Sequence, residues 1–202
     1  ALDAPQPKAI VIKAVCAEPF RARGKVVLDN NLELFLQGLS YLERLSGEFA
    51  PTYLILTAAQ HPLAQKIKKE VAGLAWVRPI FVPLVYPVGN NQYLWRCLRR
   101  NESNLQKGDS VWFLDSQAVT DIARCLGQGL VPFQRIVSLG GPGYPQGGHV
   151  LAPIGTPLSR LCTELDSFDG LRVLRGGLLA GQEIEGSEAA VGHLDDGFTF
   201  LP

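Results

Sequence analysis

The side chains best suited to chemistry are few and scattered. Histidines stand at His61, His149 and His193, and cysteines at Cys16, Cys97, Cys125 and Cys162. No CxxC pair occurs, so closely spaced thiolates cannot hold a zinc ribbon or an iron–sulfur cluster. No HExxH, GxSxG or GxxxxGK[ST] occurs either. The expectation is therefore no metal site, and no nucleophile, general acid or general base with a role to fill. Free thiols are usually buried, so the four cysteines are expected to be reduced and mostly inside the fold.

Residues suited to binding are easier to find. His61 precedes Pro62 where a strand passes into a helix, the side of a parallel sheet on which ligands gather. It serves there either a ligand or a helix end. Residues 86–95 (YPVGNNQYLW) bring Tyr86, Gly89, Asn90 and Asn91 together ahead of a helix. They form either a surface for a ligand or partner, or a turn with a packed aromatic cluster. Arg96, Arg99 and Arg100 follow, where they complement the helix dipole. Residues 140–148 (GGPGYPQGG) are Gly or Pro at seven of nine positions. Such a loop either cradles an anion through its amides or joins two strands tightly. Gly140, Gly141, Gly143, Gly155, Gly176 and Gly177 are expected to be structural turns, with Gly176 and Gly177 needing either positive φ or a close backbone approach.

These residues need elements to position them. Residues 9–15, 53–57, 77–82 and 111–114 read as buried strands. Between them, residues 30–46 place Leu32, Phe35, Leu36, Leu39 and Leu42 at the helical period, with Asn30 and Glu33 suited to cap the start and Gly47 to end it. Pro62 opens a second helix, and residues 116–126 form another that Gly127 can stop. Strand and helix in alternation predict a Rossmann-like parallel sheet over residues 1–130. Its first strand runs into VCAEPF (15–20), without the GxGxxG turn that admits a dinucleotide phosphate. Short strands then surround one helix at 157–165, capped by Thr156 with Pro157 at its first position. This predicts a small β-grasp domain over 131–185, with 186–202 a tail that could return to the first domain.

Composition narrows the function. Among 202 residues, 19 Lys plus Arg balance 19 Asp plus Glu, which argues against a nucleic-acid binder. Residues 79–95 form the longest apolar candidate span, and Pro79, Pro83, Pro87 and Gly89 break it, so no direct membrane span is expected. The chain opens at Ala1 and holds no Met, as a piece of a longer protein would.

Three stretches carry a family resemblance: VWFLDSQAVTDIARCLGQG, RIVSLGGPGYPQGGHVLAPIGTPLSRL and LRVLRGGLLAG, within residues 108–182. Together they resemble the A subunit of the bacterial sodium-translocating NADH:quinone oxidoreductase. The Gly155-Thr156-Pro157-Leu158 turn and Gly176-Gly177 are similar to that subunit's soluble-ligand-binding β-grasp domain. Tyr86-Pro87-Val88-Gly89 is similar to a YPxG-type segment of related electron-transport subunits. The resemblance implies a peripheral subunit on the cytoplasmic face of the bacterial inner membrane, in a complex that passes electrons from NADH to ubiquinone and exports sodium. The complex is an enzyme; the chain alone is expected not to be catalytic. NADH and flavins would sit on other subunits, with none bound here. Related flavin- or cluster-bearing subunits carry glycine-rich FMN loops or cysteine clusters, and this sequence has neither. His61, Tyr86, Gly89, Asn90 and Asn91 are then the residues expected near quinone or a partner subunit. The alternatives are a free-standing soluble-ligand-binding β-grasp protein and a scaffold subunit of a related electron-transport complex.

Overall fold

The computed structural model describes residues 6–22, 24–46, 50–57 and 62–202. They divide into two compact units. The first takes residues up to Ala17 and Arg23–Val131; the second takes Glu18–Ala22 and Pro132–Pro202. The architecture is α/β, as the alternation of strand and helix predicts.

The first unit is built on four parallel strands: β1 (Ala9–Lys13), β2 (Thr52–Leu56), β3 (Val77–Phe81) and β4 (Val111–Asp115). Their order is β3-β2-β1-β4, the Rossmann-like arrangement. Pro79 lies in β3, which is an edge strand, so its missing N–H leaves no central ladder broken. One face of the sheet carries Ile10, Ile12, Leu54 and Leu56. The helices α1 (Gly24–Leu28), α2 (Leu32–Leu45), α3 (Pro62–Glu70) and α5 (Ser116–Gln128) contribute to that core through Leu28, Phe35, Leu39, Ile67 and Val119. The opposite face presents Val11, Tyr53 and Ile55, and one helix, α4 (Asn91–Asn101), covers it with Leu94 and Leu98.

Helix ends depart in detail from the sequence expectation. Asn31, not Asn30, stands before α2, and its side chain makes no cap bond. Its Nδ2 instead donates to Val27 O, and its Oδ1 accepts from Arg124 Nη2. Gly127 lies inside α5. The helix stops at Gly129, whose φ of 68° supplies the left-handed turn. Gly47 and His61 lie outside the described residues.

The second unit is a five-stranded sheet of β5 (Gln134–Gly140), β6 (Gly148–Pro153), β7 (Arg172–Arg175), β8 (Gln182–Ile184) and β9 (Gly197–Leu201), ordered β6-β5-β9-β7-β8. First and last strands are parallel neighbours at its centre, and α6 (Leu158–Leu161) lies between the second and third strands in sequence. This is β-grasp topology. Residues 186–202 do not return to the first domain, because β9 fills the middle of the second sheet. Phe198 and Phe200 are fully buried there, and Phe200 meets the rings of Tyr144 and Phe168. Helix α6 is one turn; Pro157 precedes it as the cap residue, where Thr156 and a longer helix are expected from sequence.

The cysteines are not uniformly buried. Cys162 is, Cys16 and Cys97 are half-buried, and Cys125 is exposed. Helix α5 buries Val119, Thr120 and Ala123, which turns Cys125 to the other side. Burial pushes the Cys162 thiol up to about 11 from an unfolded value of 9.0. Burial, then the charges of Cys162 and Glu164, raises the Tyr144 phenol as well. A thiol whose folded pKa is raised contributes stability below the unfolded value and loses it as pH climbs through the folded one. The second unit is therefore expected to lose on the order of 2–3 kcal/mol between about pH 9 and pH 11. Urea titrations across that window check this, and Cys162→Ala is expected to flatten the slope, with the share due to Tyr144 remaining.

Candidate functional site

In a parallel sheet of this order, ligands gather beyond the strand ends where the order reverses, between β1 and β4. Lys13 and Asp115 end those strands as register partners. Neither is left open to a ligand. Asp115 caps α5, its Oδ1 accepting from Ala118 N at 2.7 Å. Lys13 Nζ donates to the carbonyl of Gly89 at 3.2 Å. Gly89 holds φ of 101°, and a Cβ there would lie 3.4 Å from Val15 O and 3.7 Å from Cys16 Cα. The 82–90 loop thus rests against the end of β1, where a dinucleotide fold needs a free glycine turn.

The loop's other side forms an apolar cavity of about 520 Å³ with α4 and the ends of β2 and β3. Ile55 and Ile80 form its floor from the sheet, and Val82, Val85 and Tyr86 line it from the loop. Leu94, Cys97 and Leu98 line it from α4. Asn90 positions the helix: its side chain accepts from Tyr93 N at 3.1 Å. Asn91 is the first helical residue, and Pro87 follows Tyr86 across a cis bond. Tyr93 and Cys97 lie four residues apart on one face of α4, and the neighbouring Cys97 is the main cause of a raised Tyr93 pKa. Glu102 is paired with Arg78 at 2.9 Å, and Asn101 Nδ2 donates to Cys97 O at 2.8 Å.

Of the residues expected near a ligand, the structure therefore brings Tyr86, Gly89, Asn90 and Asn91 to this loop and helix start. Only Tyr86 of these lines the cavity itself. His61 is outside the described residues; His149 and His193 are exposed in the second unit. Sequence reasoning missed Leu94, Cys97 and Leu98, because their helical spacing looks the same in an ordinary core. Arg99 lies over the Trp95 ring at 5.8 Å, so part of the basic cluster packs on its own helix.

The glycine turns sort by mechanism. In 140–148 three amides are spent within the chain: Gly143 N donates to Phe200 O, Tyr144 N to Gly141 O, and Gly147 N to Tyr144 O. The loop is a tight β5–β6 connection. Gly141, Gly155 and Gly176 hold φ of 123°, 88° and 103°. Gly140 and Gly143 need space instead: a Cβ would reach the Phe20 ring at 3.0 Å and Leu171 Cδ2 at 2.9 Å. The 176–181 loop does cradle an anion, and the anion is the chain's own. The Glu18 carboxylate accepts from Leu179 N at 2.9 Å and Ala180 N at 2.6 Å, and pairs with Arg21 at 3.1 Å. A Cβ on Gly177 would lie 2.5 Å from Glu18 Cγ. At the strand end Lys13 is thus engaged by Gly89, and in this loop the Leu179 and Ala180 amides are engaged by Glu18.

Among the described residues, no group of three or more His, Cys, Asp or Glu side chains is placed to hold a metal ion. No helix among them is long and apolar enough to cross a membrane.

No protein-family model matches the chain. Solved structures with this fold include the NAD+-reducing [NiFe]-hydrogenase in its air-oxidized state. That match has a TM-score of 0.64 at 15% identity, over 98% of this chain and 41% of that one. The H2-reduced state gives 0.62 at 14%, over 96% and 40%. At such identities the likeness is one of fold. Curated relatives include the A subunit of the Na(+)-translocating NADH-quinone reductase of Shewanella frigidimarina, 26% identical over 186 residues, 91% of this chain and 38% of that protein. Those of Marinomonas sp. and Actinobacillus pleuropneumoniae are 27% and 30% identical over 93% and 92% of the chain. The chain spans about two-fifths of the length of these relatives. Over nine-tenths of its own length it thus resembles the A subunits of the Na(+)-translocating NADH-quinone reductases, the family to which its strand–helix and glycine-turn motifs point.

Proposed function

We propose that this chain is part of a peripheral subunit of a sodium-pumping NADH:ubiquinone reductase, held at the cytoplasmic face of a bacterial inner membrane. In that setting it supports ubiquinone reduction coupled to sodium export and has no catalytic centre of its own. The similarity to the A subunits, running through both units, carries the reading. Two features of the chain support the part about cofactors. Glu18 occupies the amides of the 176–181 glycine loop, and Gly89 rests on the end of β1. NADH and flavins then belong to other subunits, and this unit supplies surfaces. The loop of Tyr86 and Gly89, with Asn90 and Asn91 at the start of α4, is the part we place nearest quinone or a neighbouring subunit. His61 is assigned to the same group on the sequence alone.

The test is capture of the tagged protein from detergent-solubilised membranes, with partners identified by mass spectrometry. Recovery of flavin-carrying membrane subunits of a sodium pump is the expected result. Recovery of no membrane partner, under conditions that keep such complexes intact, sinks the reading and favours a free-standing ligand binder.

A further inference from the structure

The outer surface of α4 is one-sided in charge. From Pro79 to Asn101 the chain carries three arginines, Arg96, Arg99 and Arg100, and no acid, although the whole chain balances 19 basic against 19 acidic residues. Helical spacing sets their direction. Leu94 and Leu98 are the buried residues of α4, so Tyr93, Arg96 and Arg100, spaced i, i+3 and i+7, form one stripe on the solvent side. Elsewhere Arg21, Arg78, Arg124, Arg172 and Arg175 each meet a carboxylate. Among the described residues, no carboxylate pairs with Arg96, Arg99 or Arg100. Arg96 and Arg100 are like charges one helical turn apart, an arrangement that disfavours the helix until something anionic covers it.

Beside this stripe, apolar side chains are turned to water. Among the described residues, α4 is the one helix packed on Val11, Tyr53 and Ile55, and the 82–90 loop closes the rest of that half-covered face. Leu84, Val85, Tyr86 and Tyr93 are 42%, 63%, 46% and 41% exposed. Val85, Tyr86 and Tyr93 border one another around a single hollow, so the apolar patch and the arginine stripe meet at Tyr93. The occupant must therefore present anions and hydrocarbon side by side. A bilayer of anionic lipid does so in layers: phosphates for guanidinium groups, acyl chains beneath for aliphatic side chains, and the boundary between them for phenol rings. Stable attachment takes two such weak signals together, and this surface has both. We infer that the α4 stripe and the 82–90 loop dock on an anionic lipid surface, with Arg96 and Arg100 at the headgroup phosphates and Leu84 and Val85 in the acyl boundary. The inference deepens the reading as a peripheral subunit and rests on it for the presence of a membrane.

The experiment is co-sedimentation of the full chain with vesicles, either equimolar phosphatidylglycerol and phosphatidylcholine or phosphatidylcholine alone. Binding to the mixed vesicles is expected, weakening as added salt screens the charges. Arg96→Gln combined with Arg100→Gln is expected to weaken it about thirtyfold. Val85→Ser is expected to weaken it about tenfold while leaving the salt dependence in place. All three side chains are exposed, so these variants keep the fold. Lys66→Gln combined with Lys69→Gln is the control: it removes the same charge from exposed positions on α3 and should change binding less than about threefold. Equal binding to both kinds of vesicle, or to neither, overturns the proposal. So do equal losses from the arginine and lysine pairs, which would mean attraction without a docking face. A Val85→Ser chain that binds as the parent does would show that the loop stays out of the bilayer and would refute the face as drawn. A chain that binds no vesicle yet is captured with membrane subunits loses this inference and keeps its place in the complex.

Discussion

Gly38→Val is expected to lower the melting temperature of the first unit by about 10–15 °C, the consequence of a loss near 3 kcal/mol in a unit of this size. Gly38 sits in the buried stripe of α2, between Phe35 and Leu39, where α2 packs on α5. A Cβ at this position would lie 2.1 Å from the Val119 carbonyl oxygen and 2.9 Å from its carbonyl carbon. Those are main-chain atoms of α5, so no side-chain rotation relieves the clash. The helices must separate, and the contacts that Phe35, Leu39 and Leu42 make in the core loosen with them. Glycine costs a helix interior about 1 kcal/mol relative to alanine, so the substitution recovers some propensity. Overpacking against backbone outweighs that gain. All three tryptophans, Trp76, Trp95 and Trp112, lie in the first unit, so intrinsic fluorescence follows it selectively. Gly73→Ala is the control: a Cβ there meets nothing within 4 Å and should shift melting little. Equal melting of the Gly38 variant and the control would mean that α2 and α5 part without cost.

The elements legible in the sequence are those with a strong local period. Residues of α2 repeat every third or fourth position, and β1, β2 and β4 are compact apolar runs, so the parallel sheet follows. Helix α1 and strand β8 are too short to carry a period. The place of β9 depends on pairing with Ser138 and Leu139, far back in the chain, and no local signal encodes it. Gly127 and Gly129 are equally good helix stops by residue type; only the left-handed geometry at Gly129 separates them. The part around α4 was legible as a loop but not as a cavity. Tyr86 and Asn90 draw notice because turn and capping residues cluster there. Leu94 and Leu98 look like ordinary core residues, and the half-covered face beneath them leaves no mark in the sequence. Glu18 was invisible for the same reason at longer range, since its amide partners lie 161 and 162 residues away.

In the second unit, Gly141→Val is expected to cost on the order of 4 kcal/mol, more than Gly176→Val at about 1–3 kcal/mol. Both glycines hold a positive φ, 123° and 103°, which a β-branched residue adopts only under strain. They differ in what surrounds them. A Cβ on Gly176 would meet the Cα of Gly181 at 3.4 Å, an ordinary contact, so backbone strain is the main cost there. A Cβ on Gly141 would fall 2.3 Å from Phe200 O and 2.9 Å from Phe200 N. Phe200 belongs to β9, at the centre of the sheet, and its carbonyl also accepts from Gly143 N at 2.9 Å. Relief at Gly141 therefore pulls on the strand that joins β5 to β7 and on the buried rings of Phe168 and Tyr144 beside it. The second unit has no tryptophan, but it has Cys162, fully buried in its core. Urea-dependent alkylation of Cys162 thus measures this unit alone. The expected order of midpoints is parent, then Gly176→Val, then Gly141→Val, with tryptophan fluorescence of the first unit unchanged in both. If the two variants unfolded at the same urea concentration, the close approach at Phe200 would contribute nothing beyond the strain that the two positions share.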